Sequence, residues 1–323
     1  MLDFIETCSL PLAIVLLVAG FVLLIKGADS FVEGSSSIAK KFHVPSIIIG
    51  LTIVAMGTSL PETAVSVTAS VGGNNALAVS NAVGSNIFNL MMVIGVCALL
   101  TPVAVQRDVV RRDIPFSVLC AILLLVLGYL GNMTLGHLDG ALMLVLFAGF
   151  ILYMIFKALS AKAEGANGEA DDVKIMSVPR SLIYIVLGGV GIALGGDVVV
   201  KSASNIAVTF GMSQTLVGLT IVSVGTSLPE LVTSIVAARK NEIDMALGNA
   251  IGSNVFNILM VLGIASAISP IAFLTENIID IGVLLAFSLL VWLFAATKKR
   301  IGKLEGLIMA VLYVAYVVYA CIR

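Results

Sequence analysis

Gly57-Thr58-Ser59-Leu60-Pro61-Glu62, followed by Gly84-Ser85-Asn86-Ile87-Phe88-Asn89, decides the fold because the chain contains it twice. The second copy reads Gly225-Thr226-Ser227-Leu228-Pro229-Glu230 and then Gly252-Ser253-Asn254-Val255-Phe256-Asn257. The offset is the same at both motifs, 230 − 62 = 257 − 89 = 168, so residues 50–95 and 218–263 align without a gap. The chain is an internal duplication.

The surrounding sequence says where the duplication resides. Of the 323 residues, 59% are hydrophobic and 11% charged, and the mean hydropathy is +1.13. A soluble protein carries about 25% charged residues, so this composition belongs in a bilayer. The net charge of −1 selects no partner, since in a membrane protein the placement of charge matters more than its sum. The start, Met1-Leu2-Asp3-Phe4-Ile5-Glu6, lacks the basic region of a secretory signal, so the first apolar segment is expected to stay attached as a span. Cys8, Cys97, Cys120 and Cys321 are far apart, without disulfide or zinc spacing, and read as packing residues.

Ten segments are long enough to cross about 30 Å of hydrocarbon as helices. They lie near 9–35, 45–71, 77–101, 114–131, 138–159, 180–208, 213–237, 244–268, 278–297 and 304–322. Fifteen of the 18 Lys and Arg residues fall on alternate connections, the exceptions being Lys26, Lys201 and Arg323. Basic loops mark the cytoplasmic side, which places both termini outside. Copies five spans apart cross the membrane in opposite directions. The predicted fold class is therefore an all-α integral membrane protein with ten transmembrane helices in two inverted five-helix repeats. The first repeat is 1–160, a short acidic cytoplasmic linker is 161–179, and the second repeat is 180–323. Inverted repeats place a substrate site at the midplane where the halves meet, the commonest plan of secondary transporters.

The motifs supply that site with oxygen. Pro61 and Pro229 lack an N–H and clash with the carbonyls of Gly57 and Gly225, so both helices should break there. A broken helix survives in lipid only where its freed backbone is buried in protein or lines a polar cavity, and its first half aims carbonyls and a negative dipole end at midmembrane. Thr58, Ser59, Thr226 and Ser227 add hydroxyls; Glu62 and Glu230 add carboxylates. On the following helices Ser85 and Asn89, with Asn81 a turn earlier, form one stripe that Ser253, Asn257 and Asn249 repeat. Hard oxygen ligands suit Ca²⁺, and the lack of His or Cys disfavours soft metals. Ser59-x-x-Glu62 and Ser227-x-x-Glu230 also match a helix capping box, a purely local role. An ionisable residue at the bilayer centre costs about 2.5–3.5 kcal/mol, so two glutamates without a basic neighbour call for a bound cation.

Elsewhere the residues carry less. Asp29 and Asp197, also 168 apart, lie near Lys26, Glu33 and Lys201 and read as helix-face ion pairs. His43 and His137 read as solvated. The charge run 107–113 reads as a solvated loop, and Asn132-Met133-Thr134 is a low-specificity sequon match.

The paired Gly-Thr-Ser-Leu-Pro-Glu and Gly-Ser-Asn-x-Phe-Asn motifs resemble the alpha repeats of the sodium/calcium exchangers, in the cation/calcium antiporter superfamily. The resemblance extends over essentially the whole chain and is to the small prokaryotic type. It implies that Thr58, Ser59, Glu62, Ser85, Asn89, Thr226, Ser227, Glu230, Ser253 and Asn257 bind ions, aided by the carbonyls of Ala55 and Ser223. Some members carry aspartate at a position matching Asn89 or Asn257; here both are Asn, which leaves two acids in the core. It further implies that the first and sixth spans slide as a pair against the other eight.

The activity expected is antiport of Ca²⁺ against Na⁺ by alternating access, in a plasma membrane (the inner one in a bacterium). The transported ions occupy the site, with no separate cofactor, nucleic acid or protein partner expected and a monomer sufficient. Ca²⁺/H⁺ exchange, K⁺-dependent exchange and a cation channel remain as alternatives. An intramembrane enzyme lacks a nucleophile and base beyond Ser/Glu.

Overall fold

Apolar runs of about 20 residues have one way to satisfy their backbone in hydrocarbon, which is to coil into helices. The computed structural model describes residues 3–71, 75–163, 175–212 and 223–322. After a 3-10 turn, Asp3–Thr7, the first half contains α1 (Leu10–Phe42), α2 (Ser46–Thr58), α3 (Leu60–Val71), α4 (75–100), α5 (Val109–Leu130) and α6 (His137–Ala163). The second half contains α7 (Val178–Thr209), α8 (Ser223–Thr226), α9 (Leu228–Arg239), α10 (Ile243–Ile268), α11 (Thr275–Lys298) and α12 (Lys303–Ile322). Among the described residues eight helices are long and apolar enough to cross a membrane, and α2 with α3, bent by 48°, makes a ninth span if counted as one. The predicted span 213–237 is entered only at Ser223, because 213–222 lie outside the described residues, as do 72–74 and, in the predicted linker, 164–174.

α1 and α7 each begin with a proline in the first turn, where the missing N–H would have been unpaired anyway. α1 runs on past its predicted end at residue 35 to Phe42, and its last turn carries Lys40 and Lys41, cations that complement the negative end of the helix dipole. At 33 residues it is about 50 Å long, so it must tilt to fit the hydrocarbon. The two helices run antiparallel: Gly20 lies against Val199, Gly27 against Ile192, and Gly34 against Ser181 and Ile185. A Cβ on Gly27 would come within 2.7 Å of the Ile192 backbone nitrogen, and one on Gly188 within 2.6 Å of the Phe31 nitrogen. Glycine is required there because the backbones themselves are in contact.

The centre of the bundle is α4 and α10. In their most apolar windows 72% and 78% of residues are buried, against 17% in each of α6 and α12, whose Leu and Val side chains face outward. Four two-residue strands tie the halves together at the helix ends. β1 (Val103–Ala104) pairs antiparallel with β4 (Arg300–Ile301), Val103 opposite Ile301. β2 (Thr134–Leu135) pairs antiparallel with β3 (Ile271–Ala272), Thr134 opposite Ala272.

Three expectations are corrected. The break between α2 and α3 falls at Ser59 (φ −83°, ψ 9°), not at Pro61, since Pro61 is tolerated in the first turn of the new helix and the chain bends just before it. The run 107–113 is not a loop. Its last five residues, Val109–Asp113, are a π-helical turn that opens α5, and Asp113 is buried, 4.0 Å from Lys157. The stripes on α4 and α10 are not regular α-helix either, because π-helical turns begin at Asn89 (Asn89–Val93) and at Asn257 (Asn257–Leu262). All four cysteines are free, with Cys97 and Cys120 buried among the helices.

Candidate cation site

The bend at Ser59 puts Glu62 in the first turn of α3, and the turn at Ser227 does the same for Glu230 in α9. Both side chains are fully buried. Neither is within ion-pairing distance of a Lys or Arg among the described residues. In the second copy the capping-box reading does not hold, since Ser227 makes no side-chain cap bond, and in both copies the serine donates across the molecule. Ser59 Oγ donates to Glu230 Oε1 at 3.1 Å, and Ser227 Oγ donates to Glu62 Oε1 at 3.2 Å. Each half thus supplies the hydroxyl that holds the other half's carboxylate.

The same exchange continues outward. Thr58 Oγ1 donates to Asn249 Oδ1 at 3.1 Å, and Thr226 Oγ1 to Asn81 Oδ1 at 3.3 Å. Asn249 and Asn81 in turn donate to Ser234 Oγ at 2.9 Å and Ser66 Oγ at 3.1 Å. Ser227 Oγ also lies 2.9 Å from Ser85 Oγ. Asn89 Nδ2 donates to Asn254 Oδ1 at 3.2 Å, and Asn257 Nδ2 to Asn86 Oδ1 at 3.1 Å. Thr58, Ser59, Glu62, Ser85, Asn89, Thr226, Ser227, Glu230, Ser253 and Asn257 are all buried, and nine of them take part in hydrogen bonds that cross from one copy to the other. Ser253, the tenth, is buried one turn before Asn257 on α10.

Four carboxylate and amide oxygens of these residues have no hydrogen-bond partner, Glu62 Oε2, Glu230 Oε2, Asn89 Oδ1 and Asn257 Oδ1, and neither does the hydroxyl oxygen of Ser253. All four are acceptors, two of them on carboxylates. Burying such groups unpaired costs several kcal/mol each, and they fall in two pairs related by the 168-residue offset. The chemistry of this donor set fits a hard cation.

Of the two carbonyl positions, Ala55 O accepts from Ser59 N at 3.0 Å, with Thr58 Oγ1 3.3 Å away. Ser223 is the first residue of α8, and Ser227 N bonds to Val224 O at 3.2 Å. The second copy therefore turns more tightly than the first. Asn86, Asn254, Ser66 and Ser234 were not singled out by sequence reasoning, although each recurs at the 168 offset and the two serines stand four residues after a glutamate.

Several charged residues outside the cluster form ion pairs. Asp197 pairs with Lys201 on its own helix at 3.1 Å, as expected, but Asp29 reaches across to Lys240 at 2.7 Å, with Glu33 3.9 Å from the same ammonium. His43 caps α1 with a left-handed φ of 54°, and His137 Nδ1 lies 2.9 Å from Ala267 O; both histidines are exposed.

Membrane-length helices around a buried, oxygen-lined cluster define the class as an integral membrane protein with an interior polar site. The model of the sodium/calcium exchanger protein family matches residues 12–156 and 180–322. The chain belongs to that family and is a cation/calcium antiporter. It is 40% identical over 321 residues to the putative antiporter CaxA of Alkalimonas amylolytica, covering 94% of this chain and 97% of that one. It is 32% identical over 341 residues to the sodium/calcium exchanger MaX1 of Methanosarcina acetivorans, again covering 94% and 97%. Its structure matches that of the sodium-calcium exchanger NCX_Mj soaked with 10 mM Na⁺ and zero Ca²⁺, with a TM-score of 0.83 at 33% identity, over 98% of this chain and 100% of that one.

Proposed function

We propose that the protein exchanges Ca²⁺ for Na⁺ by alternating access at one midmembrane site built from both copies. The observation that carries this reading is the quartet of unpartnered buried oxygens, Glu62 Oε2, Glu230 Oε2, Asn89 Oδ1 and Asn257 Oδ1. A Ca²⁺ ion placed among them is neutralised by the two carboxylates, and six to eight oxygens at about 2.3–2.6 Å complete its shell. Hydroxyls of Thr58, Ser59, Ser85, Thr226, Ser227 and Ser253 and the carbonyls of Ala55 and Ser223 supply the remainder. Na⁺ ions use the same oxygens, so the two loads compete. An empty site leaves two buried carboxylates uncompensated, which makes translocation favourable only when it is filled and couples the two fluxes.

The ten-span, inverted-repeat architecture belongs to the same proposal. The antiparallel run of α1 against α7 supports it, as do the hydrogen bonds exchanged between Ser59 and Glu230 and between Ser227 and Glu62. Such reciprocity is what a two-fold axis in the membrane plane produces. In this scheme 1–160 and 180–323 are the two repeats, both termini face outward, and one chain suffices. α1 and α7, locked by their glycine contacts, slide as a unit past the rest.

The test is ⁴⁵Ca²⁺ uptake into proteoliposomes under imposed Na⁺, K⁺ or pH gradients. Uptake driven by an outward Na⁺ gradient alone is the expected result. Uptake that follows only the pH gradient identifies H⁺ as the counter-ion, a K⁺ requirement identifies co-transport, and unsaturable flux without a counter-ion identifies a channel.

A further inference from the structure

We infer that Asn86 and Asn254 are positioning residues that determine which atom Asn257 and Asn89 present to the cation; the inference rests on the cation-site reading above. A side-chain amide has two faces: its oxygen can ligate a cation, whereas its NH₂ group repels one. Which face enters the site is set by what the other face bonds.

The hydrogen bonds fix this without ambiguity. A main-chain carbonyl can only accept, and Asn86 Nδ2 lies 3.1 Å from the main-chain oxygen of Asn254. Asn86 must therefore donate there, which turns its Oδ1 toward Asn257. That oxygen accepts from Asn257 Nδ2 at 3.1 Å. The NH₂ group of Asn257 is thereby turned toward Asn86, and its Oδ1 is the face left over, buried and without a partner. The chain of bonds repeats in the other direction: Asn254 Nδ2 donates to the Asn86 main-chain oxygen at 3.2 Å, and Asn254 Oδ1 accepts from Asn89 Nδ2 at 3.2 Å. Asn89 Oδ1 is likewise left buried and unpartnered.

Asn86 and Asn254 thus clasp each other's main-chain carbonyls in a ring from which Asn257 and Asn89 are each held by one bond, and all four amides are buried. The ring crosses from α4 to α10 at the point where each helix passes into its π-helical turn. The consequence is specific to this chain. Asn at both 89 and 257 creates an orientation problem that a carboxylate, with two equivalent oxygens, does not have. Asn86 and Asn254 solve it by holding the NH₂ groups away from the ion.

The test compares the cost of removing Asn86 in two backgrounds. The Ca²⁺ KM of Na⁺-driven uptake is measured for wild type, Asn86→Ala, Asn257→Asp and the double variant. With Asn at 257, loss of Asn86 frees the amide to turn its NH₂ group inward, and KM rises on the order of tenfold with kcat little changed. With Asp at 257 no wrong face exists, so Asn86→Ala leaves the KM of that background unchanged or lower. Comparison within each background cancels the effect of the added charge. An equal rise in both backgrounds, or none in either, overturns the inference, because a merely structural asparagine does not depend on the chemistry of residue 257. Asn254→Ala, alone and with Asn89→Asp, is an independent second arm should Asn86→Ala not fold. A wild type that takes up no Ca²⁺ on a Na⁺ gradient fails the exchange reading instead, and the same comparisons are then read by Ca²⁺ titration of the purified proteins.

Discussion

Around Glu62 and Glu230 the two copies do the same thing with the same residues. Ser59 holds Glu230 at 3.1 Å, Ser227 holds Glu62 at 3.2 Å, and Thr58 and Thr226 find Asn249 and Asn81 at 3.1 and 3.3 Å. Along α1 and α7 the copies part. Asp29 ion-pairs across to Lys240 at 2.7 Å, whereas its counterpart Asp197 pairs along its own helix with Lys201 at 3.1 Å. The sequence supplies the cause: Glu33 stands where the second copy has Lys201, and Gly72 stands where it has Lys240. Each copy's glutamate is held by the other copy's serine, so a change in either copy there disturbs both, whereas the helix flanks answer only to the surface on which they lie.

That contrast can be broken, most forcefully at the glutamates. Glu62→Gln and Glu230→Gln are each expected to lower Na⁺-driven ⁴⁵Ca²⁺ uptake by more than about 100-fold, since even outer-shell partners of metal ligands are worth about 10–100-fold. A loss confined to one of the two would end the equivalence. Ser59→Ala and Ser227→Ala should follow, each raising the Ca²⁺ KM by about tenfold, the lower end expected for a hydrogen bond to a charged group. Similar rises in both sharpen the comparison.

The packing of α1 on α7 ranks next. Gly27→Ala and Gly188→Ala place a methyl 2.7 and 2.6 Å from a backbone nitrogen of the facing helix, and each should destabilise the protein by about 1–3 kcal/mol, measured as a fall in Tm in detergent. The smallest effects belong to the flanks, where the symmetry fails. Lys240→Met should cost up to about 1 kcal/mol, because it unties α1 from α9. Lys201→Met breaks a pair within one helix and should cost about 0.3–0.5 kcal/mol. The same thermal unfolding series reads both; equal losses would show the flanks to be as symmetric as the centre.

Much of this was legible in the sequence because duplication and hydropathy are properties of the chain alone. The 168-residue offset located both glutamates, and the hydroxyl and amide positions around them were readable as helix stripes. What was not legible depends on registers and partners that only packing decides. Whether the helix at Asn89 keeps its α-helical ladder or widens to π pairing follows from how α4 fits against α10. The serine of each Ser-x-x-Glu could have capped its own helix; it bonds the opposite glutamate because the second copy is folded against it. Asp113 looked solvated in a charge run, yet the opening turn of α5 carries it inward toward Lys157. Asp29 had Lys26 within reach on its own helix and took Lys240, 211 residues away, instead.

The central claim is that neither copy makes a site alone. Equilibrium Ca²⁺ binding to the purified protein, in Na⁺-free buffer, tests it most directly. One Ca²⁺ per chain in the wild type and none in either Glu62→Gln or Glu230→Gln is the expected result; two per chain, with one remaining in each variant, would contradict it.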